Sequence, residues 1–223
     1  MWLRSQPITV EVIYEERTRV HRQPDRADEL SEVLVASDWF MAVLATVAAV
    51  DPPQWWVGAG VVRDLVWGTR FGDGFDPDDV TDVDVAFFDL ADLSEGREAV
   101  LESELGRRDP SIVWDIKNQA AVHTWYPDRF GLDVPPFRSV SEAVATWPEY
   151  AACVAARLAE DGSLMILAPH GLDDLLDGIW RRNPTRVTVE EYERRLMRKD
   201  PGSRWPGVRL GGEEAHRPGS SNW

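Results

Sequence analysis

The chain has 223 residues, 43% of them hydrophobic, with 24 Lys and Arg against 39 Asp and Glu for a formal net charge of -15. That composition supports a packed globular core, and its average field repels polyanions, which disfavours non-specific nucleic-acid binding. The single Cys153 excludes an internal disulfide, and no run of about 18 apolar residues offers a membrane span. The opening "MWLRSQPITVEVIYEERTRV" alternates and carries charge where a secretory leader would be apolar, so a cytoplasmic protein is expected.

In chain order, "PITVEVIYEERTRV" alternates with the period of a strand and predicts an N-terminal strand or arm. "DRADELSEVLVASDWFMAVLATVAAVD" has apolar residues three and four apart from Leu30 to Val50, which predicts helix, with a new start at Ser37 or Asp38 and a stop at Pro52 and Pro53. "QWWVGAG" predicts a short apolar strand ending at glycines, and "VVRDLVWGTR" resumes helical spacing. "FGDGFDPDD" is a loop by its Gly, Asp and Pro content. A strand over "DVDVAFFD", an exposed helix over "SEGREAVLESELGRR" and a further strand over "SIVWDIKNQ" follow.

The later sequence predicts mainly helix. Ser139 with Glu142, Thr146 with Glu149 and Thr188 with Glu191 each fit a capping box, in which side chains satisfy the first free backbone N–H groups. Cys153 in "EYAACVAARL" is expected on a helix as a buried, inert residue, "SLMILAP" as a short strand and "HGLDDLLDGIWRR" as a helix with acids near its positive end. The expected organisation is an N-terminal strand or arm over 1–26, one domain over 27–200 with a sheet core to about 125 and mostly helical chain after about 138, and a mobile tail over 201–223.

Asp82 and Asp84 lie two apart on the strand "DVDVAFFD", so both project from one face and repel each other unless a cation lies between them. Hard oxygen ligands of this kind suit Mg²⁺ or Mn²⁺, commonly together with substrate phosphates. About twenty residues earlier, Gly58, Ala59 and Gly60 join a strand to a helix, a turn whose free N–H groups and positive dipole end suit an anion. No Gly-Lys-Ser/Thr follows, and the dinucleotide fingerprint is not completed after Gly60.

"GAGVVRDLVWG" followed by "DVDVAFFD" resembles the core of the DNA polymerase beta superfamily of nucleotidyltransferases. With "WDIKNQAAVH" and a downstream "GLDDL" followed by Arg and Asn-Pro, residues 38 to 200 resemble a bacterial nucleotidyltransferase-like family of uncertain substrate within it. "AGVVRD" is also similar to the glycine motif in the head of transfer-RNA CCA-adding enzymes, with Ala59 at the usual first glycine. The resemblance implies an α+β fold, a small mixed sheet with flanking helices followed by a mainly helical C-terminal part. It further implies a third carboxylate on a neighbouring strand. Asp115 has the parity to join the pair, because Ile112, Trp114 and Ile116 would face the core; Asp89, of opposite parity to the pair, suits a turn or cap.

The function this implies is metal-dependent transfer of a nucleoside monophosphate from a nucleoside triphosphate to a small-molecule or protein hydroxyl. Asp82, Asp84 and Asp115 would hold Mg²⁺ or Mn²⁺, and Asp115 would serve as general base. Gly58, Ala59, Gly60, Arg63, Lys117 and Asn118 would meet the nucleotide, with a salt bridge to Asp64 or another acid the competing role for Arg63. His123 and Trp125 are candidates for the acceptor side and Gln119 is undecided, while Trp55, Trp56, Trp67 and Trp114 are expected to pack in the core. A nucleotide-binding regulatory module with little catalysis is the alternative. A transfer-RNA nucleotidyltransferase is disfavoured by the acidic charge and by the short chain left for RNA binding.

Overall fold

A computed structural model describes residues 9–13 and 24–212. Six strands form one mixed sheet: β1 (Val10–Ile13), β2 (Trp56–Gly58), β3 (Val83–Phe87), β4 (Trp114–Asn118), β5 (Ala155–Leu158) and β6 (Leu164–Leu167), in the order β1-β6-β5-β2-β3-β4. The β1–β6 and β3–β4 pairs are parallel and the other three antiparallel. The architecture is thus the expected α+β class with a small mixed sheet and flanking helices. Among the described residues no single helix is long and apolar enough to cross a membrane.

One face of the sheet packs against the long helices α1 (Pro24–Ala36), α2 (Asp38–Val50), α3 (Gly60–Phe71) and α4 (Glu95–Arg108). Ser37 breaks the first helical stretch: its hydroxyl accepts from the Phe40 N–H as the cap of α2, and the chain turns by 89° there. Val57, Val83, Val85, Phe87, Trp114 and Ile116 point into this main core. Strand alternation therefore sends Asp84, Ala86, Asp115 and Lys117 to the opposite face. There Trp56, Ala86, Cys153, Ala155 and Leu167 form a smaller core with Val140 and Val144 of α6 (Val140–Val144). The acids occupy the part of this second face that α6 leaves open.

Several elements differ from the sequence expectation. The segment after 138 is not mainly helical, because it supplies β5 and β6, two strands of the main sheet. "EYAACVAARL" forms a short 3-10 turn over Tyr150–Ala152 and then β5; its run of small residues suits close strand packing as well as a helix, and Cys153 is buried between the two. "HGLDDLLDGIWRR" yields only α7 (Asp173–Leu176) before β7 (Ile179–Trp180), with Gly178 at φ +65 between them. Half of the capping box forms at Ser139 and at Thr188, which starts α8 (Val189–Lys199): their hydroxyls accept from the Glu142 and Glu191 N–H groups, while the Glu142 carboxylate accepts from the Arg138 N–H. The Thr146 hydroxyl instead donates back to the Ala143 carbonyl, and the Glu149 carboxylate accepts from Arg63 and Arg195.

The tail is also docked further than its composition suggests. Pro201–Arg204 forms α9, and Arg209–Leu210 forms β8 against β7; residues 213–223 lie outside the described residues. Trp205 is 3% exposed and meets Trp67 edge-on at 5.3 Å. A Gly- and Pro-rich segment can pack when one large aromatic anchors it, since an indole buries 150–250 Å². Trp205→Ala is expected to cost about 3–5 kcal/mol in urea unfolding; a loss below about 1 kcal/mol would mean that the segment is peripheral.

Candidate active site

The register of the sheet sets Gly58, Asp84 and Asp115 in one row across β2, β3 and β4. Asp82 lies one turn of the pleat before Asp84, at the mouth of β3, where its carboxylate accepts from the Thr81 hydroxyl at 2.7 Å. One oxygen from each of Asp82, Asp84 and Asp115 lies within 4.8 Å of the others. The three acids expected to act together are therefore brought together, and Asp89 is turned to local work, accepting from the Ala91 N–H and facing Arg97 at 3.5 Å.

Like charges directly opposite on neighbouring strands are destabilising. Burial pushes the Asp84 carboxyl up to about 7, and Asp82 and Asp115 add to the rise. Two groups act against it: the Gly60 backbone N–H, which donates to Asp84, and Arg63. The first N–H of α3 is thus already engaged by a carboxylate.

The turn that presents this N–H is built under steric constraint. A Cβ on Gly58 would lie 2.7 Å from the Ala155 Cβ and the Val154 carbonyl oxygen, so only glycine fits there. Ala59 has φ 56 and ψ -122, a glycine-like conformation that costs an alanine on the order of 1–3 kcal/mol, held in part by its N–H to the Val154 carbonyl. A Cβ on Gly60 would stand 4.0 Å from Asp84 Oδ2, which places the helix start directly over the acid.

Arg63 is not at the cleft surface where a phosphate would meet it. It is 1% exposed, with its guanidinium 4.8 Å from the Trp180 ring centre and 5.7 Å from those of Trp67 and Trp205. Its Nε and Nη2 donate to Asp64 Oδ1, and Nη1 donates to Glu149 Oε2 at 3.4 Å. Glu149, itself 0% exposed, also receives Arg195 at 2.7 and 3.1 Å, and Arg204 donates to Asp64 at 2.9 Å. A continuous ladder of charge, Arg204–Asp64–Arg63–Glu149–Arg195, thus runs from α9 beneath the Gly turn to the cleft. The salt bridge that competed with phosphate for Arg63 is the role the structure gives it.

Asn118 is likewise structural. Its amide donates to the Asp89 and Asp92 carbonyls and its oxygen accepts from the Asp89 and Ala120 N–H groups, leaving it fully buried and hydrogen-bonded on both sides. Lys117 does reach the site: its ammonium lies 3.0 Å from Asp115 and 3.5 Å from Glu98. Burial works against that charge, but the two acids outweigh it and hold the Lys117 pKa above its usual value.

Above the triad opens a cleft of about 420 Å³, lined by Asp84, Asp115, Lys117 and Gln119 and by residues of α5 (Val122–Phe130) and α8. Trp125 lines it as expected of an acceptor-side residue, whereas His123 does not, and its Nδ1 is buried without a partner. Sequence reasoning missed Arg186, Arg194 and Arg195, the cationic rim of this cleft, and the Glu149 that holds Arg195. The one signal available was the capping-box Glu at 149, which reads as a helix start.

Acids on two adjoining strands thus lie beside a glycine turn and under a cleft rimmed with cations, the arrangement expected of a nucleotidyltransferase. A family model described as "Nucleotidyltransferase" matches residues 45–210. A solved structure whose description states that it reveals a CCA-adding enzyme head domain is 27% identical, with a TM-score of 0.68 covering 83% of this chain and 95% of that one. The Thermotoga maritima CCA-adding enzyme complexed with tRNA is 16% identical, with a TM-score of 0.52 covering 82% of this chain and 42% of that one, a likeness of fold alone. No curated protein matches the chain. The chain belongs to this nucleotidyltransferase family, and nucleotidyl transfer is its general class of chemistry.

Two expectations follow from the site's electrostatics. Because the folded chain holds the Asp84 proton more tightly than the unfolded chain does, Asp84's contribution in divalent-free buffer turns unfavourable as pH rises from about 4 to about 7. Asp84→Asn should therefore match the native chain near pH 4 and exceed it by on the order of 2–4 kcal/mol near pH 8 in urea unfolding with EDTA; a difference that does not vary with pH contradicts the assignment. Glu149→Ala leaves Arg63 without its second acid and should destabilise by about 3–5 kcal/mol in the same assay, against less than about 1 kcal/mol if the ladder contributed little.

Proposed function

We propose that the protein transfers a nucleoside monophosphate from a nucleoside triphosphate to the hydroxyl of a small molecule or protein, using divalent cations held by Asp82, Asp84 and Asp115. The observation that carries this reading is the convergence of three carboxylate oxygens within 4.8 Å beside cations that can meet phosphate. The residues fit a hard dication: all three donors are oxygens, and Asp82 and Asp115 add to the rise that burial causes at Asp84, which a cation would counter. When bound, Mg²⁺ or Mn²⁺ would neutralise the triphosphate and lower the pKa of the acceptor hydroxyl.

The chain's own groups do the rest. Lys117 and Arg195, both lining the cleft, hold the phosphates, and the Gly58–Gly60 turn lets the triphosphate approach the backbone. Asp84, braced by the Gly60 N–H, keeps its orientation. Asp115, on the edge strand and more open to the cleft, receives the acceptor proton. The acceptor oxygen bonds to the α-phosphorus as the bond to pyrophosphate breaks in line. An acceptor smaller than transfer RNA is favoured by the net charge of -15.

Incubation with labelled nucleoside triphosphates and Mg²⁺ tests this. Pyrophosphate release is expected, falling at least about 100-fold in Asp82→Ala and in Asp84→Ala. Nucleotide binding without release in the native chain would favour a regulatory module, and release that survives both substitutions would remove the triad from the chemistry.

A further inference from the structure

The cleft extends past the acids, and its other half has a chemistry of its own. Arg186 lines it, half-buried, with its guanidinium carbon 4.3 Å from the Phe137 ring centre and 4.9 Å from that of Tyr126. The other cleft cations each face a carboxylate: Lys117 has Asp115 and Glu98, Arg194 has Glu191 and Arg195 has Glu149. Arg186 has none among the described residues, in a chain with 39 acids to 24 bases. Burial without a counter-ion lowers its pKa. A half-buried guanidinium packed against rings still offers its N–H edge, and that edge suits an oxyanion.

The side of the site on which it sits follows from chain order. The aromatic wall of Trp125, Tyr126 and Phe130 belongs to α5, which grows through the short turn Gln119–Ala121 from the end of β4, the strand that carries Asp115. The Gly turn lies on the other side of the acid row, between β2 and α3. Tyr126 of that wall meets Arg186, so the half-cleft with Arg186 adjoins the end of β4, the strand of the carboxylate assigned to the acceptor.

We propose that this half-cleft is the acceptor site, and that the acceptor is a small hydroxyl compound with an aromatic or apolar body and a carboxylate, sulfonate or phosphate that pairs with Arg186. This rests on the nucleotidyl-transfer reading above. The rings cover the apolar body, Arg186 fixes the anionic end, and the hydroxyl is left to face Asp115. Its oxygen bonds to the α-phosphorus, its proton passes to Asp115, and pyrophosphate departs with the electrons of the broken P–O bond.

The test uses two fluorescent probes of similar shape, anionic 8-anilinonaphthalene-1-sulfonate and neutral N-phenyl-1-naphthylamine, titrated into the full chain. The anionic dye is expected to bind one to one and to remain bound when a non-hydrolysable nucleoside triphosphate and Mg²⁺ are added. Arg186→Gln should weaken it about tenfold while changing the neutral dye by less than about twofold, and Arg186→Lys should recover part of the loss. Equal effects on both dyes, no effect on either, or displacement of the dye by the nucleotide would overturn the assignment. Dye binding needs no turnover, so its failure is separable from failure of nucleotidyl transfer, which pyrophosphate release reports.

Discussion

Asp84 and Asp115 face each other across a parallel pair of strands, and the rest of the molecule is arranged around that unfavourable contact. A sheet does not place like charges in register for stability. The contact persists because the surrounding packing fixes it: Val83, Val85, Trp114 and Ile116 are buried in the main core and set which face the acids must take. A slip of one residue in either strand would bury an aspartate among those side chains and expose a tryptophan or valine. The hydrophobic pattern thereby holds in place a repulsion that Lys117, Arg63 and the Gly60 N–H offset only in part, since the Asp84 carboxyl is still pushed up to about 7.

The positive charge the chain itself supplies is placed to shape the site without filling it. Arg63 lowers the Asp84 pKa from behind, inside a cage of three tryptophans and two carboxylates. Buried ion pairs carry a desolvation penalty comparable to their attraction, so such a ladder is weak evidence for stability and better evidence for fixed geometry. Here it ties α3, the 149 loop, α8 and α9 to one another, so the Gly60 N–H over Asp84 and the Arg195 guanidinium in the cleft hold a set relation. The docked segment through Trp205 closes the cage, which explains why polar, Gly-rich sequence after Pro201 packs against the core.

Local signals in the sequence carried the sheet core and the acids. Period-2 alternation placed Asp82 and Asp84 on one face, and the same parity in "SIVWDIKNQ" chose Asp115 over Asp89. What was not legible depends on contacts distant in sequence. Arg63 and Glu149 are 86 residues apart, and nothing near either one signals the pair. Asn118 reads as a polar residue at a strand end, yet its partners are carbonyls of a loop 26 and 29 residues earlier. β5 was hidden because a run of alanines serves a helix and a tightly packed central strand equally well, and the choice is made by neighbours on both sides.

A seat for hard dications next to a triphosphate is the role proposed for the acid cluster. Crystals grown with Mn²⁺ and a non-hydrolysable nucleoside triphosphate, measured by anomalous diffraction at the manganese edge, test it most directly. Peaks are expected with carboxylate oxygens of Asp82, Asp84 and Asp115 at about 2.1 Å and phosphate oxygens completing the coordination. Ordered nucleotide with no anomalous peak at these acids, or manganese bound elsewhere in the chain, would contradict it.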